Sequence, residues 1–347
     1  MNDLIEKIKD YSIFYISMNP ERALGLEKIL PNFYIVSLYN SYIFNFLHNY
    51  YSLLKEDPQI EIQDNTYTLL NQKKIQEYIN KKKNPLFMFF KITPNIELSL
   101  KNRKILNPSS SLNKKYENKI NILKYFKDIT PKSKEFIPIN TNYNTLKKEF
   151  GRKFVIQFMF GHTGKSTFFI ENEDQFNDIK GKYPQRFSKV SQFIEGDTYT
   201  INGVVTRKGI LVFNLSKQIT GIKNLTQYEG GTVGNDWKTN LNIASKEKIK
   251  DYMIIIGQRL KKDGYLGLFG ADFVFDGYNI FLIEINPREN ASVPTFTKIQ
   301  IQNNIIPSKL IHILEFLDIK YNMDIKKENK NIFEDINFNQ IIISSKN

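Results

Sequence analysis

The sequence predicts a mixed chain in which a small parallel α/β domain precedes α+β segments rich in hairpins. Three observations predict it. Over residues 1 to about 107, strand-like and helix-like pieces alternate, as in a parallel sheet with crossover helices. Further on, apolar runs come in pairs around short turns, as at 198–207 and 210–217 flanking Lys208-Gly209. Between such pairs, 246–262 spaces Ile249, Met253, Ile256 and Leu260 along one helical face, fit to back a sheet.

Composition sets the bounds. A chain of 347 residues suits two or three subdomains, and 41% hydrophobic with 14% aromatic residues marks a globular protein. The absence of cysteine excludes disulfides, thiolate zinc sites and thioester catalysis by this chain. The opening MNDLIEKIKDYSIFYIS lacks the basic-then-apolar layout of a secretory signal. No apolar run approaches the ~20 residues that cross a bilayer, so the expectation is a soluble, cytoplasmic protein with no membrane partner. The net charge of +13 raises nucleic acid as a partner, but the lysines are spread through the chain and mixed with Asn and Ile. Nucleic-acid binding is therefore not expected; attraction of anionic ligands, or of an acidic carrier protein or tRNA-like partner, stays open.

In the front segment, 12–17, 33–37 and 86–90 read as strands, 20–30 has helical spacing, and 69–82 reads as a polar-faced helix. No G-x-G-x-x-G follows the first strand, so a dinucleotide site is not indicated. Pro108 and the serines after it form a loop. Then 115–126 reads as one helix, with Ile120, Leu123 and Phe126 on a face that Lys119 opens; Pro131 ends it.

Residues 153–160 read as a strand, followed by Gly161-His-Thr-Gly164-Lys165-Ser166-Thr167 and a second apolar run at 168–170. A P-loop needs glycine where Met159 stands and a helix where STFFI reads as strand. A strand, a glycine loop and a strand make instead a hairpin whose amides fold over phosphates, with Lys165 adding charge. Next, 190–194 reads as a strand entering the turn Glu195-Gly196-Asp197, and a glycine-rich loop, YEGGTVGNDW, occupies 228–237. A helix follows at 305–317, and the tail from Tyr321 is rich in Asn and Lys except at 340–343, which either folds back as a strand or lies loose. His48, His162 and His312 are scattered without metal-ligand spacing; only His162 sits in the glycine loop.

The chemistry concentrates at 270–294, GADFVFDGYNIFLIEINPRENASVP. It reads as strands at 271–275 and 278–286 joined by Asp276-Gly277. Glu284 and Asn286 are two apart and share a face. A plain two-residue turn pairs Asp272 with Phe281 and leaves Asp272 on the other face. Convergence of the three therefore requires a three-residue loop (276–278) or a bulge. Two carboxylates and an amide oxygen, with room for phosphate and water, suit Mg²⁺ or Mn²⁺. Pro287 stops the ladder and Arg288 follows within reach of the same phosphates.

This stretch resembles the metal-binding hairpin of the ATP-grasp superfamily. The likeness is to the biotin carboxylase and carbamoyl-phosphate synthetase branches, where an acid, a twelve-residue step and Glu-x-Asn-Pro-Arg recur. Here they are Asp272, Glu284, Asn286, Pro287 and Arg288. The resemblance extends upstream in the order the family needs. It implies that Lys119 reaches the α-phosphate and that Gly164, Lys165 and Ser166 belong to a phosphate lid. Gln157 stands at an inward strand position where the family usually has lysine, with Lys153 nearby. The backbone of Gln192, Phe193 and Ile194 would face adenine. The usual ribose acid is replaced by Thr198, which leaves the role to Asp197 or Glu195, or to no side chain at all. Lys217 and Gln218 would leave their strand toward substrate or γ-phosphate.

The implied fold is two α+β lobes closing on ATP behind an α/β domain. It divides the chain into an α/β domain at 1–107, a small lobe at 108–195, a metal-bearing lobe at 196–320 and a tail at 321–347. The implied activity is an ADP-forming ligase with ATP and Mg²⁺ (or Mn²⁺). It turns a small carboxylic acid, such as an amino acid, into an acyl phosphate for an amine or thiol to attack. Asp272, Glu284 and Asn286 would hold metal, and Arg288, Lys217 and Gln218 would be catalytic. The biotin carboxylase version carries Glu four residues after the arginine; Ser292 stands there, which disfavours bicarbonate chemistry of that kind. The alternatives are a kinase on the same scaffold and a nucleotide-binding protein without turnover.

Overall fold

The computed structural model describes residues 1–40, 47, 49–60, 62–63, 65–161 and 166–342, so that His48, His162, Gly164 and Lys165 lie outside the described residues. Its strands form three sheets, and the mixed α/β and α+β class read from the sequence holds.

The first sheet is parallel throughout: β1 (Ser12–Ser17), β2 (Phe33–Ser37), β3 (Tyr50–Ser52), β4 (Pro85–Phe89) and β5 (Lys104–Ile105), in the order β3-β2-β1-β4-β5. Every residue of β1 is buried, as in a strand covered on both faces. The chain leaves β1 toward β2 on one side and resumes at β4 on the other, so the direction of winding switches between β1 and β4. The helical spacing at 20–30 yields only a 3-10 turn at Pro20–Ala23. Gly25 explains the stop: its φ is +121°, and a Cβ there would lie 2.7 Å from the side chain of Thr297. The expected helix at 69–82 is two, Thr66–Leu70 and Lys73–Asn80, because Gln72 between them is extended.

The second sheet is antiparallel, β6 (Ser133–Phe136), β7 (Phe154–Phe158), β8 (Thr167–Ile170) and β9 (Ser188–Gln192), in the order β6-β9-β7-β8. Helices Tyr143–Phe150 and Glu173–Lys182 cover its apolar face through Leu146, Phe150, Phe176 and Ile179. Before it, the expected helix at 115–126 is broken into Ser110–Glu117 and Lys119–Phe126. Asn118 makes the break: its backbone turns out of the helix and its side chain accepts from Ile120 N at 2.9 Å, capping the second helix.

The third sheet carries β10 (Asp197–Val205), β11 (Ile210–Thr220), β12 (Thr232–Asp236), β13 (Gly267–Phe275), β14 (Ile280–Asn286) and β15 (Asn339–Ile341). Their order is β14-β13-β10-β11-β12-β15. Helix Ile243–Lys262 packs Ile249, Met253, Ile256 and Leu260 onto one face, against Phe269, Ala271, Phe273, Leu282 and Ile285. Part of the glycine-rich loop is thus a strand, β12, and the tail returns to pair with it as β15. Asn329 helps dock the tail, accepting from Val212 N at 2.8 Å and donating to Ile210 O at 3.0 Å. After the hairpin a helix absent from the sequence reading spans Val293–Gln302, followed by Ser308–Phe316. Among the described residues no helix is long and apolar enough to cross a membrane.

His312, on the last of these helices, ties the parallel sheet to the third one. Its Nδ1 accepts from Leu268 N at 2.9 Å while Nε2 donates to Leu106 O at 2.7 Å, so the ring is neutral. Burial pushes its pKa down to about 4. The unfolded chain takes up that proton near 6.5 and the folded chain only near 4, so the contribution is complete above 6.5 and is lost as pH falls toward 4. The expected result is that the advantage of wild type over His312→Gln in urea denaturation shrinks by up to ~1.4 kcal/mol per pH unit across that interval.

Candidate active site

The β13–β14 hairpin closes with a four-residue connection, in which Asp276 N donates to Asn279 O at 3.2 Å. An even connection would leave Asp272 on the wrong face. The register shifts by one residue between Asp272 and Phe273: Phe273 faces Leu282, whereas Asp272 faces Glu284 and Gly270 faces Asn286. The extra residue is Ile283. This is the bulge that the sequence reading required as one of its two solutions. One face of the hairpin now carries Asp272, Glu284 and Asn286, and the other carries Ala271, Phe273, Leu282 and Ile285 into the core.

The three polar side chains converge. Asn286 Nδ2 donates to Asp272 Oδ2 at 3.3 Å, and Thr200 Oγ1, directly across β10, donates to Asp272 Oδ1. Burial, then repulsion from Glu284, pushes the Asp272 carboxyl up to about 7, against those hydrogen bonds. Glu284 Oε1 meets Lys119 Nζ at 3.1 Å, and the same ammonium donates to Gly161 O at 3.2 Å. Lys119 therefore bridges the hairpin to the base of the glycine loop. Asn286 Oδ1 accepts from Arg288 Nη2 at 3.1 Å. Arg288 is fixed further by Glu117 at 3.0 Å from Nε and by Glu289 O at 3.1 Å from Nη1. The break at Asn118 lets these neighbours diverge, Glu117 toward Arg288 and Lys119 toward Glu284.

Two carboxylates, an amide and a nearby hydroxyl are all hard oxygen donors, the set that a Mg²⁺ or Mn²⁺ ion takes together with phosphate and water. They fit such an ion, provided that it displaces the proton of Asp272 and the Asn286 amide turns its oxygen inward.

The nucleotide positions are placed unevenly. Gln157 is buried on β7 and donates to Thr167 Oγ1 at 3.3 Å; Ser166 is buried with its hydroxyl over Gly161. Gln192 ends β9, and Phe193 and Ile194 follow it outside the strand. No backbone hydrogen bond outside the strand ladders engages Phe193 or Ile194 among the described residues. The Phe193 ring packs edge-on to Phe169 at 5.9 Å, with Lys153 Nζ 4.2 Å from its centroid. Gly196 is obligatory at the turn, since a Cβ there would lie 2.0 Å from Phe275 O.

Two expectations are corrected. Lys217 and Gln218 do not leave the strand, because β11 continues to Thr220. Alternation then splits them: Gln218 joins the Asp272 face and donates to Thr200 Oγ1, whereas Lys217 lies opposite Tyr199 on the other face. There Lys217 pairs with Asp197 at 2.7 Å, so both the expected catalytic lysine and the expected ribose acid stand off the cleft face.

The sequence reading missed Lys189. It sits on β9 directly across from Gln157 and is 1% exposed, and its side chain makes no hydrogen bond or ion pair among the described residues. Burial, then the charge of Lys119, pulls its pKa down to about 8, against the pull of Glu284. The signal was present in SKVSQ: Val190 is core, so its neighbour Lys189 had to face the cleft.

Residues 116–292 match the ATP-grasp domain, and the chain belongs to that family. It is similar to the carbamoyl phosphate synthase large chain of Clostridium acetobutylicum, with 25% identity over 150 residues that make up 41% of this chain and 13% of that one. The chain thus spans only a small part of that relative's length. Among solved structures it resembles N5-carboxyaminoimidazole synthetase from Staphylococcus aureus complexed with ADP, at TM-score 0.60 and 13% identity, covering 89% of this chain and 78% of that one. It also resembles the biotin carboxylase domain of Hydrogenobacter thermophilus 2-oxoglutarate carboxylase, in complex with MgADP, ADP and bicarbonate. There the TM-score is 0.64 with 13% identity, over 91% of this chain and 72% of that one. At these identities the likeness is one of fold.

The raised pKa of Asp272 has a measurable consequence. The metal-free folded protein holds this proton up to about pH 7, so a divalent ion has to displace it. Mn²⁺ affinity, titrated with a non-hydrolysable ATP analogue present, is expected to rise about tenfold per pH unit toward 7 and then level off. Asp272→Asn removes that slope.

Proposed function

We propose that the protein is a cytoplasmic, ATP-dependent, ADP-forming ligase. It activates a small carboxylic acid, amino acids included, as an acyl phosphate for attack by an amine or thiol. The observation that carries this reading is the convergence of Asp272, Glu284 and Asn286 on one face, with Arg288 and Lys119 in contact with two of them.

Bound MgATP supplies the γ-phosphoryl group and the cation that neutralises the triphosphate. Asp272, Glu284 and a reoriented Asn286 would hold the cation, and Lys119, now paired with Glu284, would be available to a phosphate oxygen. Gln157 and Ser166 would line the phosphates; Gly164 and Lys165, outside the described residues, are assigned to the same lid by the family resemblance, and the lid would keep water from the acyl phosphate. The backbone around Gln192, Phe193 and Ile194 receives adenine. Arg288, held in one orientation by Glu117 and Glu289 O, presents its fork to the charge that builds on the transferring phosphoryl or the carboxylate. Gln218 acts through Thr200, whose hydroxyl steadies Asp272. Lys189 supplies the cleft-facing ammonium that position 157 lacks. An unpaired buried cation next to another cation is costly until an anion reaches it, and a nucleotide phosphate meets that need. Ser292 is buried beside Asn202, at 3.3 Å, so no carboxylate occupies that position for bicarbonate chemistry.

Incubation with ATP, Mg²⁺ and hydroxylamine against a panel of carboxylic acids tests the reaction. Hydroxamate with stoichiometric ADP is expected, and Arg288→Ala is expected to lower the rate roughly hundredfold. Phosphorylated product without hydroxamate would make the protein a kinase; no acid-dependent ADP would leave a binding protein; AMP with pyrophosphate would rule out the mechanism.

The role of Lys189 is tested by exchanging cross-strand partners. Lys189→Met is expected to weaken binding of a non-hydrolysable ATP analogue roughly tenfold. The double exchange Gln157→Lys with Lys189→Gln, which returns the ammonium from the facing position, is expected to recover most of it. No loss in the first variant, or no recovery in the second, would remove Lys189 from the phosphate site.

A further inference from the structure

The parallel sheet meets the active site at its winding switch. In sheets of this kind the crevice outside the carboxyl ends of the strands, where winding reverses, is open to a ligand. Here it lies between the ends of β1 and β4. Arg22 follows β1, and Phe90 and Lys91 follow β4; Arg288 enters from the metal hairpin. The Cζ atoms of Arg22 and Arg288 lie 4.5 Å and 4.6 Å from the centre of the Phe90 ring, which joins the crevice to the catalytic arginine.

The charges there do not balance. Glu117 is taken by Arg288 and Lys91, and Glu289 by Lys309 at 2.9 Å and the Tyr15 hydroxyl at 3.3 Å. Arg22 makes no hydrogen bond or ion pair through its side chain among the described residues, although it is partly buried. A guanidinium has five N–H donors in a planar fork suited to carboxylate or phosphate. One held half out of water beside a second guanidinium, with none of its donors used, lacks an acceptor. Burial, with a smaller push from Arg288, pulls its pKa down against the opposing pull of Tyr15, Glu289 and Glu21, none of which makes a hydrogen bond or ion pair to the fork.

We infer that the crevice between β1 and β4 binds an oxyanion, carboxylate or phosphate, carried by the second substrate, with Arg22 as its specificity-determining contact. This rests on the ligase reading for the identity of the ligand as a substrate, but not for the existence of the site. The anion sits on the far side of Phe90 from the nucleotide positions. Arg288, which touches both Phe90 and Asn286, then carries the substrate's position to the metal residues. Packing on Phe90 alone would account for a solvated arginine; it does not account for an unused fork at the one crevice of the sheet that faces the active site.

The experiment is calorimetric titration with inorganic phosphate, glutarate and neutral glutaramide, with and without Mg²⁺ and a non-hydrolysable ATP analogue. Wild type is expected to bind at least one of the two anions and not the amide. Arg22→Gln is expected to weaken that binding roughly tenfold to a hundredfold, and Arg22→Lys less, while both keep wild-type affinity for the nucleotide analogue. Binding of phosphate alone would mark a phosphorylated substrate, and of glutarate alone a carboxylate-bearing one. Binding of neither anion, equal binding of the amide, or unchanged anion binding in a folded Arg22→Gln would overturn the proposal. Arg22→Lys keeps the question answerable if the glutamine variant melts early. Absence of nucleotide binding in wild type would count against the ligase reading instead, since the crevice is read by the loss of anion binding in Arg22→Gln relative to wild type, whichever other site the anion also reaches.

Discussion

A single inserted residue in β14 governs the active site. Side chains alternate with a period of two, so the even connection at 276–279 would send Asp272 to the face opposite Glu284 and Asn286. Ile283 restores the parity. The bulge acts only on the outer half of the hairpin: Phe273 and Leu282 still meet in the core, and from Asp272 outward every polar residue faces the cleft. The apolar face is pinned by helix Ile243–Lys262, so the register cannot slip without exposing Phe273 and Leu282, both fully buried. Core packing thus fixes Asp272, Glu284 and Asn286 on one face, although none of them is in the hydrophobic core.

The electrostatics of the site are poised for a ligand. Asp272 keeps its proton to about 7, Glu284 is held by Lys119, Asn286 turns its oxygen to Arg288, and the Lys189 side chain is buried with no acceptor among the described residues. Taking such groups from water costs several kcal/mol per ion unless partners are complete, roughly what a buried pair recovers only with ideal geometry. On the proposed reading, each local compromise would end when a polyanion and a divalent cation arrive together. The cation would displace the proton and free Lys119, and the anion would satisfy Lys119 and Lys189, so that the two ligands would favour each other.

The hairpin was legible in the sequence because its chemistry and its spacing lie in one uninterrupted stretch, and parity alone forced the choice between an odd loop and a bulge. Strands at 12–17 and 33–37 were legible as short apolar runs and fall where expected. What was missed depends on contacts distant in sequence. The helix at 20–30 fails because Gly25 meets Thr297, and the helix at 115–126 breaks because Glu117 and Lys119 serve different partners on the distant hairpin. The helix at Val293–Gln302 hides behind Pro294, which is tolerated in a first turn. Lys217 was misplaced because β11 runs on past the point where its pattern weakens, and Lys189 was overlooked because its importance depends on what Gln157, its partner across the sheet, is not.

One break of one residue links both halves of the site. Had 115–126 been a continuous helix, Glu117 and Lys119 would stand roughly 200° apart around its axis with no freedom to adjust, at about 100° per residue. Asn118, capping the second helix as the first ends, lets each side chain reach a different point on the hairpin. Glu117 anchors Arg288, and with it Phe90 and the crevice at the end of β1 and β4. Lys119 anchors Glu284, and with it the phosphate side. A shift of the first helix segment would therefore move Arg288 through Glu117, so the proposed substrate crevice and the proposed phosphate site would share a mechanical element as well as a charge network.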